Sequence, residues 1–211
     1  MNKKEMEAEL IGAIIGGGYI STACKKYIIG FTGHPEDDLG YYIYLSKLVE
    51  IVLGKNAFSK ERLRGLRMKI YSKPICNYLV NSVGLISGST KSFSVKISKQ
   101  FFKEWSLLRY VIRGFADTGG SVFFSKKPGV KKYPSIELTT CSINLAKQLR
   151  KVLLNKGFRV TKLRSYSSKL SKRPCYKVCL YGIKNLQKWV KEIGFLNPTK
   201  KAKAENLLRD A

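Results

Sequence analysis

Apolar residues recur with helical spacing in two segments of the chain that each end in paired glycines. The first segment is LIGAIIGGGYI, residues 10–20, and the second is IRGFADTGGSV, residues 112–122. Paired glycines end a helix because glycine readily takes the backbone conformations that close its last turn. The pattern therefore predicts one apolar helix before each pair, and the second helix is expected to span residues 99–116.

Shorter patterned segments follow each apolar helix. Runs rich in β-branched and aromatic residues predict strands, whereas apolar residues three and four apart predict amphipathic helices. The predicted strands are 27–32, 66–71, 121–125, 135–140 and 176–181, and the predicted helices are 42–53, 74–83, 143–154 and 186–193. The order α-β-β-α-β-α predicts an α+β fold, with a small sheet in each half and helices packed on one face of it.

The two apolar helices belong to an internal repeat. Three blocks of sequence recur in the same order with small insertions, which indicates a duplication. The matched pairs are Gly12 with Gly114, Gly17 with Gly119, Gly18 with Gly120, Leu45 with Leu145, Leu53 with Leu153, Tyr71 with Tyr181 and Gly84 with Gly194. The repeat predicts a first half-domain at residues 1–86, a linker at 87–98 and a second half-domain at 99–211.

The charge of the chain indicates a binder of polyanions. Lys and Arg number 40 against 14 Asp and Glu, so the formal net charge is +26. Because 44% of the residues are hydrophobic, the chain can bury a core and is not a disordered basic tail. Its longest strongly apolar stretch, about 11 residues, is shorter than the roughly 20 that a membrane helix needs. Dense phosphates suit such a charge, and we therefore expect an intracellular protein that binds nucleic acid.

The cysteines predict neither a zinc site nor a disulfide framework. None of the five forms a C-x-x-C pair, and the only histidine, His34, is adjacent to none of them. A structural zinc ion takes about four nitrogen or sulfur ligands. We therefore expect reduced, mostly partly buried thiols.

The segments LIGAIIGGG (10–18) and IRGFADTGG (112–120) resemble the LAGLIDADG motif, and their pairing resembles single-chain, two-motif homing endonucleases. The resemblance covers nearly the whole chain. It implies an α+β fold of two pseudo-symmetric αββαβα half-domains that form a DNA-binding saddle, with the motif helices packed at the central interface. Small residues four apart on one helix face permit such close packing. They are here Gly12, Gly16, Gly114 and Thr118.

In that family each motif supplies an acidic residue, at its eighth position, which binds a divalent metal between the two DNA strands. The eighth positions here are Gly17 and Gly119, which have no side chain that binds a cation. Proteins hold Mg²⁺ through carboxylates. The resemblance therefore implies a Mg²⁺-dependent endonuclease, a hydrolase, in an active form, and weak or no metal binding in this chain. Asp117, at a sixth position, is expected to be a polar residue near the helix end.

Family members also place a lysine near the end of the early strand in each half, where it acts on the scissile phosphate or on water. The corresponding residues here are His34 and Cys141. We hypothesise that His34 takes part in the water and phosphate network of the catalytic site. The alternative is that it caps a turn. Cys141 cannot replace a lysine, so the two half-sites are expected to be unequal.

Basic residues flank the predicted strands of both halves and are the predicted DNA contacts. They are Lys25, Lys26, Arg62, Arg64, Arg67, Lys69, Lys126, Lys127, Lys131, Lys132, Lys162, Arg164, Lys172, Arg173 and Lys177. Most contacts of such residues go to phosphates, and arginine is the better reader of base edges because its guanidinium group is planar. Lys200, Lys201 and Lys203 are expected to add nonspecific attraction.

These features predict a monomer that binds a long, asymmetric double-stranded DNA target, and whose active ancestor made double-strand breaks that promote intron mobility. The length, with no splicing blocks at either end, favours an intron-encoded protein of a prokaryotic cytoplasm or nucleoid, or of an organelle, over an intein. The same replacement at 17 and 119 favours deliberate inactivation; a natural non-cutting descendant is the alternative origin. The alternative function is an RNA-binding maturase that acts on intron RNA. A transcriptional regulator is not expected, because the chain leaves no room for a helix-turn-helix domain.

Overall fold

A computed structural model describes residues 1–62, 65–167 and 174–210 and shows the chain folded as two similar halves. The first half comprises α1 (Lys3–Gly16), β1 (Gly18–Ser21), β2 (Ile28–Gly33), α2 (Leu39–Leu53), β3 (Phe58–Arg62), β4 (Gly65–Tyr71) and α3 (Lys73–Asn77). A short helix, α4 (Lys91–Ser94), lies between the halves. The second half comprises α5 (Trp105–Gly119), β5 (Gly120–Lys127), β6 (Val130–Thr140), α6 (Ile143–Asn155), β7 (Arg164–Tyr166), β8 (Cys175–Tyr181), α7 (Ile183–Glu192) and α8 (Pro198–Arg209).

Each half contains a four-stranded antiparallel sheet, and the two sheets have equivalent strand orders. They are β1-β2-β4-β3 in the first half and β5-β6-β8-β7 in the second. Alternate residues of a strand point to opposite faces. One face of each sheet is buried in the core, with Phe31, Met68, Leu138 and Val178 at most 1% exposed. We call the opposite face the outer face. The predicted α+β fold of two pseudo-symmetric halves is confirmed.

Each half has one strand more than the predicted order α-β-β-α-β-α, and β1 of the first half lies outside the predicted strand segments. The additional strands are the edge strands β3 and β7, with the sequences FSKER and RSY. Both are short and largely polar, so they lack the alternation of apolar and polar residues that identifies a strand. The order of elements is therefore αββαββα in the first half and αββαββαα in the second, rather than αββαβα.

Two helices also differ from the prediction. α5 begins at Trp105, and the preceding segment Lys99–Lys103 forms a separate 3-10 turn because Glu104 has an extended backbone. α8 was not predicted, since it is rich in lysine and buries only Ala204 and Leu207. None of the helices in the described ranges is long and apolar enough to span a membrane.

The two motif helices, α1 and α5, pack with their backbones in contact at the centre of the molecule. A Cβ atom on Gly12 would overlap the carbonyl group of Val111, with its carbon only 2.8 Å away. A Cβ atom on Gly114 would overlap the carbonyl oxygen of Glu9 and lie 2.7 Å from the backbone nitrogen of Ala13. Real Cβ atoms essentially never come this close, so both positions require glycine. The predicted packing of the motif helices is confirmed.

A buried ion pair crosses the same interface. Arg113 on α5 donates a hydrogen bond from Nε to Oε2 of Glu9 on α1 at 2.7 Å, and the carboxylate is fully buried. Arg113 also lies over the ring of Tyr110, 4.6 Å from its centroid. Burial raises the pKa of Glu9 to about 8, because its desolvation outweighs the attraction of Arg113. In another register the largely buried guanidinium group of Arg113 would lose its acceptor, which disfavours other registers of the two helices.

The prediction of five reduced thiols is wrong for two of them. Cys141 and Cys175 form a disulfide between the end of β6 and the start of β8. Thr140 pairs with Tyr176, so the next residues outwards face each other, and their Cα atoms lie 4.1 Å apart. This contact follows from strand register, which the spacing of cysteines in sequence does not reveal. The free cysteines are Cys24, Cys76 and Cys179.

We predict that Gly114→Ala destabilises the protein far more than Gly119→Ala on the same helix. A Cβ atom at 114 overlaps the backbone of α1, whereas one at 119 would meet the ring of Phe115 at 3.4 Å, an ordinary contact. Overpacking costs about 1–3 kcal/mol, whereas alanine in place of a helical glycine favours the helix by up to about 1 kcal/mol. Urea unfolding measures the difference, and equal midpoints for the two variants would contradict the close helix contact.

Candidate nucleic-acid interface

The C-terminal ends of α1 and α5 lie side by side. A Cβ atom on Gly17 would be 3.0 Å from Cβ of Thr118, and one on Gly119 would be 3.7 Å from Cα of Gly16. The eighth positions of the two motifs therefore meet across the helix interface. The backbone brings these two positions together, but neither carries a side chain.

Each helix end is hydrogen-bonded by a half-buried lysine. Lys91, in α4, donates hydrogen bonds from Nζ to the carbonyl oxygens of Gly16 and Gly18 at 3.2 and 2.8 Å. Lys200, in α8, donates to two carbonyl oxygens in the last turn of α5 at 2.9 and 2.7 Å. Burial lowers the pKa of both ammonium groups, that of Lys91 to about 8. The positive charges complement the negative ends of the two helix dipoles.

These helix ends do not fit a divalent metal. Positions 17 and 119 offer no carboxylate, and two carbonyl oxygens beside Gly17 already accept hydrogen bonds from Lys91. Throughout the described ranges, no group of three or more His, Cys, Asp or Glu residues could hold a metal ion. Hard cations such as Mg²⁺ require oxygen ligands, commonly including carboxylates.

The outer face of the second sheet combines basic and aromatic side chains. Lys127 lies over the ring of Tyr133, 4.3 Å from its centroid, and Lys177 lies over that of Tyr166 at 4.7 Å. Tyr133 also stacks on Tyr181, with a centroid separation of 6.1 Å. The rings bind the lysine ammonium groups across neighbouring strands. They thereby hold positive charge on this face.

An acidic residue lies among these cations. Glu137 on β6 forms an ion pair of 2.8 Å with Lys177 on the neighbouring strand β8, and the two side chains are 17% and 33% exposed. The hydrogen bond from Lys177 to Glu137 raises the pKa of the lysine. A carboxylate in this position can accept a hydrogen bond from a base amino group, as glutamate does from cytosine.

The outer face of the first sheet follows the same pattern. Arg67, Lys69 and Tyr71 alternate along β4 with core residues and are exposed or half-buried. Tyr19 on β1 lies across Gly30 of β2, where a Cβ atom would overlap its ring. Glycine at 30 thus lets the tyrosine ring lie against the sheet.

The fold matches solved structures of homing endonucleases. The crystal structure of I-DmoI in complex with DNA and Ca has a TM-score of 0.67, with 16% identity, and covers 98% of this chain and 100% of that chain. Meganuclease I-SmaMI bound to uncleaveable DNA has a TM-score of 0.58, with 11% identity, over 95% of this chain and 88% of that chain. Full-length DUF199/WhiA from Thermatoga maritima has a TM-score of 0.61, with 14% identity, over 99% of this chain and 61% of that chain. At these identities the similarity concerns the fold alone.

The sequence of the second half carries the family signature. Residues 106–194 match the family model of the LAGLIDADG-like domain. The match covers less than half of the chain and identifies a LAGLIDADG-like domain in its second half. Together with the fold, it confirms the predicted resemblance to the LAGLIDADG family.

Two curated relatives share sequence with this chain along most of its length. They are the replication factor C small subunits of Methanocaldococcus jannaschii and Pyrococcus horikoshii, each 28% identical, over 206 and 209 residues and 96% of this chain. The chain spans only 10% and 19% of the length of these two proteins. The similarity is therefore to a segment of each relative.

Most of the predicted DNA contacts with described side chains lie on the outer faces of the sheets or at exposed ends of their strands. These residues are Lys25, Lys26, Arg67, Lys69, Lys126, Lys127, Arg164 and Lys177. The backbones of Arg62 and Lys131 lie in β3 and β6. Arg64, Lys172 and Arg173 lie outside the described residues.

Three other lysines make contacts that the sequence did not predict. Lys132 forms an ion pair of 2.9 Å with Asp210, beyond α8, and thus points away from the outer face. Lys162 lines a cavity against α6. The ammonium group of Lys200 is bound to the end of α5 and is not free to add nonspecific attraction, whereas Lys201 and Lys203 are exposed.

His34 lies in a turn directly after β2, with a side chain that is 61% exposed. Its backbone N–H donates to Oδ2 of Asp38 at 2.8 Å, and its Nδ1 accepts from the backbone N–H of Asp37 at 3.4 Å. These contacts are those of a capped turn, the alternative considered for this residue. Its counterpart Cys141 is bound in the disulfide and has no free thiol.

Asp117 joins the end of α5 to the start of α8. Its two carboxylate oxygens accept hydrogen bonds from the backbone N–H groups of Leu196 and Asn197 at 2.9 and 3.1 Å. The side chain of Asn197 donates in turn to Asp38 of the first half at 3.0 Å. Burial raises the pKa of Asp117 to about 6, while these hydrogen bonds and the charge of Lys200 act in the opposite direction. The residue near the helix end therefore holds the last helix in place.

Sequence reasoning missed Lys91, Tyr181 and Glu137. Tyr181 and Glu137 occupy strand positions that alternate with core residues, and a strict two-residue period would have placed both on the outer face. Lys91 gives no such signal, because its contacts with Gly16 and Gly18 join residues more than seventy positions apart.

We predict that Asp117→Ala lowers the free energy of unfolding by about 1–3 kcal/mol, because two buried backbone N–H groups lose their acceptor. Asp210→Ala is the matched control: its ion pair with Lys132 is about half exposed, and its loss should change stability by less than about 1 kcal/mol. Thermal unfolding measures both variants, and hydrogen exchange should be faster at Leu196 and Asn197 in the first alone. Unchanged exchange there would contradict the role of Asp117.

Proposed function

We propose that this protein binds a long, asymmetric double-stranded DNA target as a monomer, with the outer face of each sheet covering one half of the site. The observation that carries the proposal is the second outer face, on which Lys127, Lys177 and Arg164 are interleaved with tyrosines. Antiparallel strands can enter the major groove, where each base pair presents a distinct pattern of donors and acceptors. The related folds of I-DmoI and I-SmaMI are seen in complex with DNA.

Charge supports a nucleic acid as the partner. The net charge of +26 far exceeds what solubility requires. Lysines that contact phosphates provide affinity and orientation, and arginine and glutamate side chains on the strands provide base recognition. Arg67, Arg164 and Glu137 are the candidates for base recognition because their side chains lie on outer faces.

We propose that the protein binds its DNA target without cutting it. Two-metal cleavage of a phosphodiester needs carboxylates that hold the cations beside the attacking and leaving oxygens, and positions 17 and 119 have none. The convergence of these positions fits descent from a Mg²⁺-dependent endonuclease of the kind that promotes intron mobility.

Selection from a library of random duplexes tests the binding function. We expect enrichment of one long, asymmetric sequence, with an affinity that falls steeply as salt rises because bound phosphates release counterions. Fluorescence anisotropy with the selected duplex, an unrelated duplex and a structured intron RNA measures the preference. Tighter binding to the RNA would favour the maturase alternative, and binding to neither would overturn the proposal.

Restoring the carboxylates tests the proposed descent. We predict that Gly17→Asp combined with Gly119→Asp cuts the selected duplex in the presence of Mg²⁺, while the unaltered chain does not. The space suffices, since a Cβ atom at 119 meets its neighbours at 3.4 Å or more and one at 17 requires Thr118 to move by a few tenths of an ångström. Asparagine at both positions is the matched control, equal in size but without charge, and should leave the duplex uncut. A restored variant that binds but does not cut would contradict the endonuclease descent alone.

A further inference from the structure

Lys91 lies where three parts of the molecule meet. It belongs to α4 between the two halves, and its ammonium group is bound to the end of α1. The cavity that it lines, of about 210 Å³, is also lined by Thr139, Thr140 and Cys141 of the second half. The side chain thus borders the centre of the proposed DNA interface, next to Gly17, the eighth position of the first motif.

Lys91 and Lys200 differ in the negative charges that surround them. The charge of Lys200 is attracted by the carboxylates of Asp117 and Asp38. The shift in the pKa of Lys91 has burial as its cause, and the described residues provide no ion pair for it. A largely buried ammonium group without a counter-charge is unfavourable. Helix carbonyls compensate only part of this cost, and an anion at the cavity would compensate the rest.

Two of the three N–H groups of Lys91 are used by the carbonyl oxygens of Gly16 and Gly18. An ammonium group has three donors, and the third has no hydrogen-bond partner within ranges 1–62, 65–167 and 174–210. A phosphate oxygen is a suitable acceptor, because a hydrogen bond between an ammonium group and an anion is about twice as strong as one between neutral groups.

We propose that Lys91 is a phosphate-binding residue at the centre of the DNA interface. Its ammonium group provides there the positive charge that a metal ion would provide if positions 17 and 119 carried carboxylates. This inference rests on the proposed function. Cys141 lines the same cavity as Lys91, and its thiol is taken up in the disulfide. Among the described residues that line this cavity, Lys91 alone carries a positive charge. Binding of the duplex by this chain then needs no divalent ion.

The test compares Lys91→Met with Lys3→Met, which removes the same charge at the opposite end of α1. For Lys91→Met we expect the affinity for selected and unrelated duplexes to fall by the same factor, about tenfold at about 0.1 M salt, and the salt slope to decrease by about 1. Lys3→Met should bind as the unaltered chain does. Lys91→Arg, which keeps the charge, should retain most of the affinity.

Each outcome has a separate meaning. If the unaltered chain binds no duplex, the proposed function fails; if it binds and a folded Lys91→Met variant keeps the same affinity and salt slope, the role of Lys91 is overturned. Thermal unfolding establishes whether Lys91→Met is folded. If it does not fold, duplex binding by the unaltered chain is measured in EDTA and in Mg²⁺. Equal binding supports the inference, and binding that requires Mg²⁺ contradicts it.

Discussion

The backbone contact between α1 and α5 determines the arrangement of everything else in the molecule. β1 begins at Gly18 and β5 at Gly120, directly after the two motif helices. The position of each sheet therefore follows from the end of its own helix, and the relation between the sheets follows from the helix pair. Because Gly12 and Gly114 allow carbonyl groups to touch the opposite helix, the two helix ends converge at one point.

This convergence has an electrostatic cost for a protein that binds a polyanion. The C-terminal end of a helix carries partial negative charge, and here two such ends meet at the place where DNA is proposed to pass. The ammonium groups of Lys91 and Lys200 reverse the sign of the charge at both ends. Gly17 and Gly119 add no side-chain charge to the same place, so the convergence of the helix ends does not oppose the proposed binding of DNA.

The amino-acid sequence predicted those elements whose pattern of apolar and polar residues is set by their own place in the core. The duplication, the two motif helices and the strands next to the core follow from periodicity and from the paired glycines. The edge strands β3 and β7 escaped prediction because half of their hydrogen-bonding groups face solvent and few apolar side chains mark them. The convergence of Gly17 and Gly119 was predictable, because the motif fixes both positions at the ends of the paired helices. Lys91, the Cys141–Cys175 disulfide and the direction of Lys132 were not, since each depends on contacts between distant segments.

The polar chain from Asp117 through Asn197 to Asp38 joins the motif helix of the second half, the last helix and the start of α2 in the first half. This polar chain and the contact between Arg113 and Glu9 each need side chains from both halves. The two halves are therefore not interchangeable modules. Recombination of half-domains between family members, by evolution or in the laboratory, must therefore transfer these side chains as sets. A chimaera that inherits one member of a set without the other would place an unpaired charge or amide inside its own interface.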